Sequence, residues 1–199
     1  MLQWTSNAGW LVAADSGLQT AAACGIMPDL VVGDFDSLED HDLLGVVGES
    51  KVRRYPHEKD YTDTELAVRA ARDRGCTEIV IIGGGGGRMD HLIGILSLFD
   101  REPPPSVWIT DTAVLQTITS GITIEGSPGG VVSLFPVGCE SCRATSEGLR
   151  WPLDGLSWRR GDFGLSNELT SKAASIRVLE GRLLLVRELE AIDRLLSEG

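Results

Sequence analysis

The chain has 199 residues, enough for one large domain or two small ones with an ample core. Its 29 acidic residues against 18 basic ones give a net charge of −11, the wrong sign for a general binder of nucleic acid or anionic membrane. No apolar run reaches membrane-spanning length, and residues 1–7 lack the basic-then-apolar pattern of a signal peptide, so a cytoplasmic protein is expected.

Residues 10–14 (WLVAA) read as a strand that ends at Asp15-Ser16-Gly17. An Ala-rich helix follows over 18–24, with Gly25 as its stop. The apolar run Leu30-Val31-Val32 reads as a buried parallel strand, and Gly33-Asp34-Phe35-Asp36-Ser37 stands where that strand ends. An extended backbone there turns Asp34 and Asp36 to the same face. Carboxylates so paired repel unless something positive lies between them, and a hard cation such as Mg²⁺ answers that need. A weak helix is expected over 38–47 and a strand over 51–55, stopped by Pro56. The clearest helix spans 62–74: Thr62 caps it, Glu65 stands where a capping box requires, and Gly75 follows.

Residues 78–82 (EIVII) read as a buried strand running into five glycines at 83–87. Arg88-Met89-Asp90-His91 then opens an apolar helix to about residue 99, and a short strand follows at 107–109. Strands alternating with helices up to about Asp111 argue for a mostly parallel sheet with helices on its faces. From 113 the pattern changes to short β-prone runs between Gly and Pro turns, including 121–124, 131–135 and 174–178. Gly181-Arg182 reads as the turn of a hairpin into 183–186. This second part, 113–199, is expected to be a small antiparallel sandwich with a helical tail over 187–197, after an α/β domain over 1–112. Cys24 and Cys76 read as small buried residues in a reducing compartment. Cys139 and Cys142 have C-x-x-C spacing, but no second pair or nearby His completes a zinc site. A loop with two incidental cysteines is favoured over a redox pair.

Glycines between a strand and a helix let backbone N–H groups close on a phosphate, and the helix N-terminus adds partial positive charge. The run is neither a Walker A loop nor G-x-G-x-x-G. Arg88 beside it can grip phosphate oxygens bidentately. Asp15, Asp34, Asp36, Asp60, Asp63 and Asp90 all fall at predicted strand-to-helix turns, which share one edge in a parallel sheet. With Lys59, Arg88 and the glycine loop they suggest a metal–polyphosphate site. His57 and His91 border it and are read as structural.

Asp15-Ser16-Gly17, Gly25-Ile26-x-Pro28-Asp29-Leu30 and Gly33-Asp34-Phe35-Asp36-Ser37 resemble the opening of thiamine pyrophosphokinase. So do Lys59-Asp60-x-Thr62-Asp63 with Glu65, and Gly86-Gly87-Arg88-x-Asp90-His91. Gly148-Leu149-x-Trp151-Pro152-Leu153, Arg160-Gly161 and Gly164-Leu165-Ser166-Asn167-Glu168 continue the likeness in the right order. Each motif alone is weak, and the ordered set is specific. The resemblance implies a Rossmann-like catalytic domain, a β-sandwich that takes thiamine, and a homodimer with its site between subunits. It implies Mg²⁺-dependent transfer of pyrophosphate from ATP to the thiamine hydroxyl, giving thiamine diphosphate and AMP. By the same resemblance Asp34, Asp36 and Asp63 match metal and phosphate positions, and Arg88 matches a phosphate-gripping arginine. Asp15, Lys59, Asp60, Gly86, Gly87 and Asp90 match the nucleotide side, and Ser166 and Asn167 the thiamine-contacting segment. Trp151 can offer an aromatic face to the cationic thiazolium, core packing being its other reading.

The family pattern has a further strand, glycine loop and helix before the Asp15 segment. Only about a dozen residues precede Asp15 here, so that unit is expected to be missing or shortened. Ser16 stands where the family commonly has a second glycine. Three rival readings are a pyrophosphokinase for another alcohol such as a hydroxymethyl-pterin, a haloacid-dehalogenase-like phosphatase built on Asp34-Phe35-Asp36-Ser37, and a non-catalytic thiamine or nucleotide binder.

Overall fold

The computed structural model describes residues 5–189. It is a mixed α/β structure with parallel and antiparallel sheets, in two compact units, Met1–Ile79 and Val80–Gly199.

In the first unit β1 (Val12–Ala14), β2 (Leu30–Gly33) and β3 (Val52–Arg54) form a three-stranded parallel sheet in the order β1-β2-β3. Helices α1 (Gly17–Ala23), α2 (Asp42–Val47) and α3 (Asp63–Asp73) alternate with these strands. β2 is buried throughout, as its unbroken apolar run requires of a strand covered on both faces. Its side chains alternate between two cores. Val31 packs with Leu18 of α1 and Leu44 of α2, whereas Leu30 and Val32 pack with Leu66 and Ala70 of α3. Thr62 Oγ1 accepts a hydrogen bond from Glu65 N at 3.2 Å, which fixes where α3 starts.

The second unit holds two sheets. β4 (Val80–Ile82) and β5 (Val107–Ile109) are parallel neighbours at the edge of a six-stranded sheet ordered β11-β8-β13-β6-β5-β4. Its other members are β6 (Ala113–Ile118), β8 (Val131–Pro136), β11 (Gly164–Glu168) and β13 (Leu183–Glu188), all paired antiparallel. β7 (Gly121–Glu125), β9 (Ser141–Glu147), β10 (Trp158–Arg159) and β12 (Ala173–Glu180) form an antiparallel sheet ordered β10-β9-β12-β7. Both sheets feed one core: Leu134, Leu183 and Leu185 from the first pack with Ile124, Ala144 and Ile176 from the second. Helix α4 (Met89–Leu98) joins β4 to β5 and buries Ile95 and Leu98.

Sequence pattern alone put β4 and β5 with the earlier parallel strands. They belong instead to the sheet that continues into β6, because the Thr110–Ala113 turn is tight. Thr110 Oγ1 accepts hydrogen bonds from Ala113 N at 2.8 Å and Thr112 N at 3.2 Å, so β6 folds straight back onto β5. The change of pattern at residue 113 therefore falls inside the second compact unit. β13 runs on to Glu188, past the expected start of the helical tail, and the rest of that tail, from 190, lies outside the described residues. Cys142 lies in the shared core, where burial pushes its thiol up to about 11. Cys139 donates to Arg182 O at 3.7 Å, and no disulfide joins any of the four cysteines. No helix among the described residues is long and apolar enough to cross a membrane.

Candidate metal and phosphate site

The carboxyl ends of β1, β2 and β3 carry Asp15, Asp34 and the segment leading to α3. The chain leaves β2 through strained backbone. Phe35 has φ of 64° although it is bulky, and burial to 1% exposure holds it there. Gly33 leaves little room for a side chain, since a Cβ would stand 3.2 Å from Asp15 Cα. The loop is thus not the extended stretch that period-two alternation supposes. Asp34 and Asp36 meet another way: Asp36 N donates to Asp34 Oδ1 at 3.3 Å, folding the loop back on itself.

Lys59 is the centre of the group. Its ammonium donates to Asp34 Oδ2 at 2.6 Å and stands 3.2 Å from Asp63 Oδ1. The Lys59 hydrogen bond holds Asp34 down to about 2, against the opposing effect of burial. Burial pulls Lys59 down, but its hydrogen bond to Asp34 and its ion pair with Asp63 outweigh that and leave it above its ordinary value. Asp63 goes the other way. Burial raises it, and Lys59 offsets this only in part. Asp63 Oδ1 approaches the ammonium as an ion pair without an aligned hydrogen bond, and Asp15 Oδ1 is likewise buried with no hydrogen-bond partner. A buried carboxylate oxygen without a hydrogen-bond partner is a place where a water or a cation binds.

His57, read from sequence as structural, belongs to this cluster. Its Nδ1 lies 3.3 Å from Asp34 Oδ2 and 3.2 Å from Asp36 Oδ2. Among the described residues, Asp34, Asp36 and His57 form a group whose ligating atoms all lie within 4.8 Å of one another. The donor set is dominated by hard carboxylate oxygens, so it fits a divalent cation such as Mg²⁺. Asp60 is exposed beside the cluster.

The remaining predicted residues lie in the second unit. Gly83, Gly84 and Gly87 have positive φ, and a Cβ on Gly85 would collide with the Thr110 side chain. Glycine is therefore required for this loop's path between β4 and α4. Gly86 and Gly87 are exposed, as is Arg88 immediately before α4. Arg88 Nε and its terminal nitrogen donate to the two oxygens of Asp90 at 3.1 and 2.5 Å. That contact holds Asp90 down to about 2. His91 N donates to Asp90 Oδ1 at 3.0 Å.

Asn167 is buried, and its amide is occupied within the chain. Oδ1 accepts from Trp151 N at 3.1 Å and Glu168 N at 2.9 Å, while Nδ2 donates to Trp151 O at 2.7 Å. It positions Trp151, which is 52% exposed rather than packed in a core. The Arg150 guanidinium lies 4.8 Å from the centre of that ring. Ser166 is held at φ of 55°, and its N donates to Ser133 Oγ at 3.1 Å. Ser133 lines an open, largely apolar cleft of about 630 Å³, walled by Leu96, Phe135, Phe163 and Leu165, with Asp100 and Arg160 paired at 3.1 Å.

A family model described as thiamin pyrophosphokinase, catalytic domain, matches residues 1–105. A second, thiamin pyrophosphokinase, vitamin B1 binding domain, matches residues 120–183. The thiamine pyrophosphokinase of Bacillus subtilis is 26% identical over 189 residues, covering 88% of this chain and 86% of that protein. Thiamine pyrophosphokinase 2 of Arabidopsis thaliana is 30% identical over 159 residues, 73% of this chain, and the chain spans 59% of that relative's length. The crystal structure of the Bacillus subtilis enzyme matches with a TM-score of 0.77 at 25% identity, over 94% of this chain and 91% of that one. That of thiamin pyrophosphokinase from Geobacillus thermodenitrificans matches with a TM-score of 0.72 at 29% identity, over 94% and 90%.

Proposed function

Since the chain belongs to the thiamine pyrophosphokinase family, we propose that it transfers pyrophosphate from ATP to the hydroxyl of thiamine, releasing AMP. The observation that carries this reading is the gathering of Asp34, Asp36, Asp63 and Lys59 at the carboxyl edge of a parallel sheet. Residues 1–112 are the Rossmann-like catalytic domain in this reading, and 113–199 the β-sandwich that takes thiamine. The protein works in the cytoplasm as a homodimer, with the site between subunits.

Asp34, Asp36 and Asp63 are the groups that would hold Mg²⁺, and Asp15 lines the same edge. When bound, the ion supplies charge neutralisation for the triphosphate. Lys59 keeps Asp34 ionised and fixes its direction, so the centre is ordered before nucleotide arrives. Arg88 rests on Asp90 and exchanges that carboxylate for phosphate oxygens, while the exposed glycine N–H groups beside it add further donors. Trp151, held by Asn167, presents its face to a cationic ring. The cleft beside Ser166 offers apolar walls to the aromatic parts of thiamine. The alcohol oxygen attacks the β-phosphorus in line and AMP leaves.

The test is AMP release from ATP with thiamine added, withheld, or replaced by an analogue lacking the hydroxyl. AMP is expected only with the alcohol present. Asp36→Asn is expected to abolish it while the circular dichroism spectrum stays native. AMP release indifferent to thiamine sinks the reading, as does near-normal turnover in Asp36→Asn.

A further inference from the structure

His57 stands apart from the other residues of the metal centre because it offers nitrogen rather than oxygen. We propose that His57 Nδ1 is a ligand of the divalent cation held by Asp34 and Asp36, and that it tunes the centre toward ions that accept nitrogen, such as Co²⁺, over Mg²⁺. The inference deepens the proposed reading of this centre as a metal site and rests on it.

Donors sharing a face of an octahedral ion at about 2.1 Å stand about 3.0 Å apart, the bond length times the square root of two. His57 Nδ1 is 3.2 Å from Asp36 Oδ2 and 3.3 Å from Asp34 Oδ2. Both edges are within a few tenths of an ångström of that spacing. The third edge, between the two carboxylates, is bounded at 4.8 Å, so side-chain rotation on an exposed surface is what brings two oxygens and one nitrogen onto one face.

The surroundings agree. His57 is 77% exposed, so burial does not force its ring against the two carboxylates. Asp34 Oδ2 also accepts from Lys59, but a carboxylate oxygen has two acceptor sites, and one remains for a metal. The opposite side of Lys59 holds Asp63 Oδ1, buried without a hydrogen-bond partner. Asp15 Oδ1, on the same sheet edge, is also buried with no hydrogen-bond partner.

The chemistry sets the consequence. Mg²⁺ takes oxygen donors and keeps several waters, whereas imidazole binds later first-row divalent ions more strongly. One nitrogen in an otherwise oxygen set shifts relative affinity toward those ions without excluding Mg²⁺.

The test uses the full chain without nucleotide. With Mn²⁺ as probe, pulsed EPR is expected to show ¹⁴N coupling of an imidazole ligand in the unaltered protein and none in His57→Ala. Co²⁺ affinity, measured by calorimetry, is expected to fall at least about tenfold in His57→Ala, while Mg²⁺ affinity changes far less. Because His57 is exposed, the substitution leaves no cavity. The chain has three histidines, so coupling that persists in His57→Ala comes from His41 or His91 and overturns the proposal. Bound Mn²⁺ with no nitrogen coupling also overturns it, as does failure of Mn²⁺ to bind. Thiamine-dependent AMP release without nitrogen coupling removes the ligand role and leaves the proposed function standing. Nitrogen coupling without AMP release does the reverse.

Discussion

Lys59 shows how one side chain sets the charge state of its neighbours. Its side chain is 12% exposed, and the ammonium sits between Asp34 and Asp63. Replacing it by Met leaves two close carboxylates with no cation, a loss of about 3 kcal/mol by analogy with broken buried pairs. The pH dependence follows from the direction of each shift. Asp34, lowered from 3.8 to about 2, contributes stability that is present above its ordinary range and lost as pH falls toward 2. Lys59, raised above 10.5, contributes stability that is present below that value and lost as pH rises through its raised pKa. Asp63 is raised, so its own contribution is present in acid and lost as pH rises through its folded value. The stability gap between the unaltered protein and Lys59→Met should therefore be widest between about pH 5 and 9 and narrow toward both extremes. Urea unfolding across pH measures it. A gap that stays constant below pH 3 removes the Lys59–Asp34 pair from this account.

At the scale of elements, the turn between β12 and β13 does more than reverse the chain. Arg182 is 4% exposed and threads from that turn to the end of α4. It donates to Phe99 O at 3.1 Å and Arg101 O at 3.2 Å, to Val137 O at 3.3 Å, and to Glu102 Oε1 at 2.6 Å. The guanidinium thus satisfies carbonyls just past a helix C-terminus, where positive charge is favoured. Gly138 makes room for it, because a Cβ there would overlap the Arg182 terminal nitrogen. Arg182→Met should cost about 2–4 kcal/mol, since it strands several carbonyls and leaves the hole once filled by the guanidinium. Gly138→Ala should cost a similar amount by expelling the same group. The double variant should then be little worse than either single one, which a double-mutant cycle by chemical denaturation measures. Additive losses would show that the two residues act separately. The sequence reading puts a turn at Gly181-Arg182, as found, but the hairpin it expects there does not form: β12 pairs with β7 and β9, and β13 with β6 and β8, so the turn carries the chain from one sheet to the other. A burial-prone Arg also looks the same in a sequence as an exposed one.

Over the whole molecule, local signals in the sequence were reliable where the chain itself carries the cause. The Thr62 cap and the unbroken apolar run of β2 are of this kind, and both stand in the structure. Sheet membership was less readable, because a single hydroxyl, Thr110 Oγ1, sends β5 into a hairpin with β6. The proximity of His57 to Asp34 and Asp36 depends on pairing β3 beside β2, which brings position 57 to position 34 across the sheet edge.

The same scale decides how the fold answers to cations. The chain carries a net charge of −11, and any cation screens its self-repulsion. Screening depends on ionic strength and falls across the whole surface. The proposed chelation at Asp34, Asp36 and Asp63 would depend on one ion and on those side chains. A ligand that binds only the folded state at a hundred times its dissociation constant stabilises by about 2.7 kcal/mol, a rise in melting temperature of roughly 5–10 °C for a chain of this size. At matched ionic strength MgCl₂ should therefore raise the melting temperature well above the value in NaCl. Asp36→Asn should erase most of that excess while leaving the response to NaCl intact. Equal melting temperatures in the two salts for the unaltered protein would mean that the acidic cluster takes up no ion before nucleotide binds.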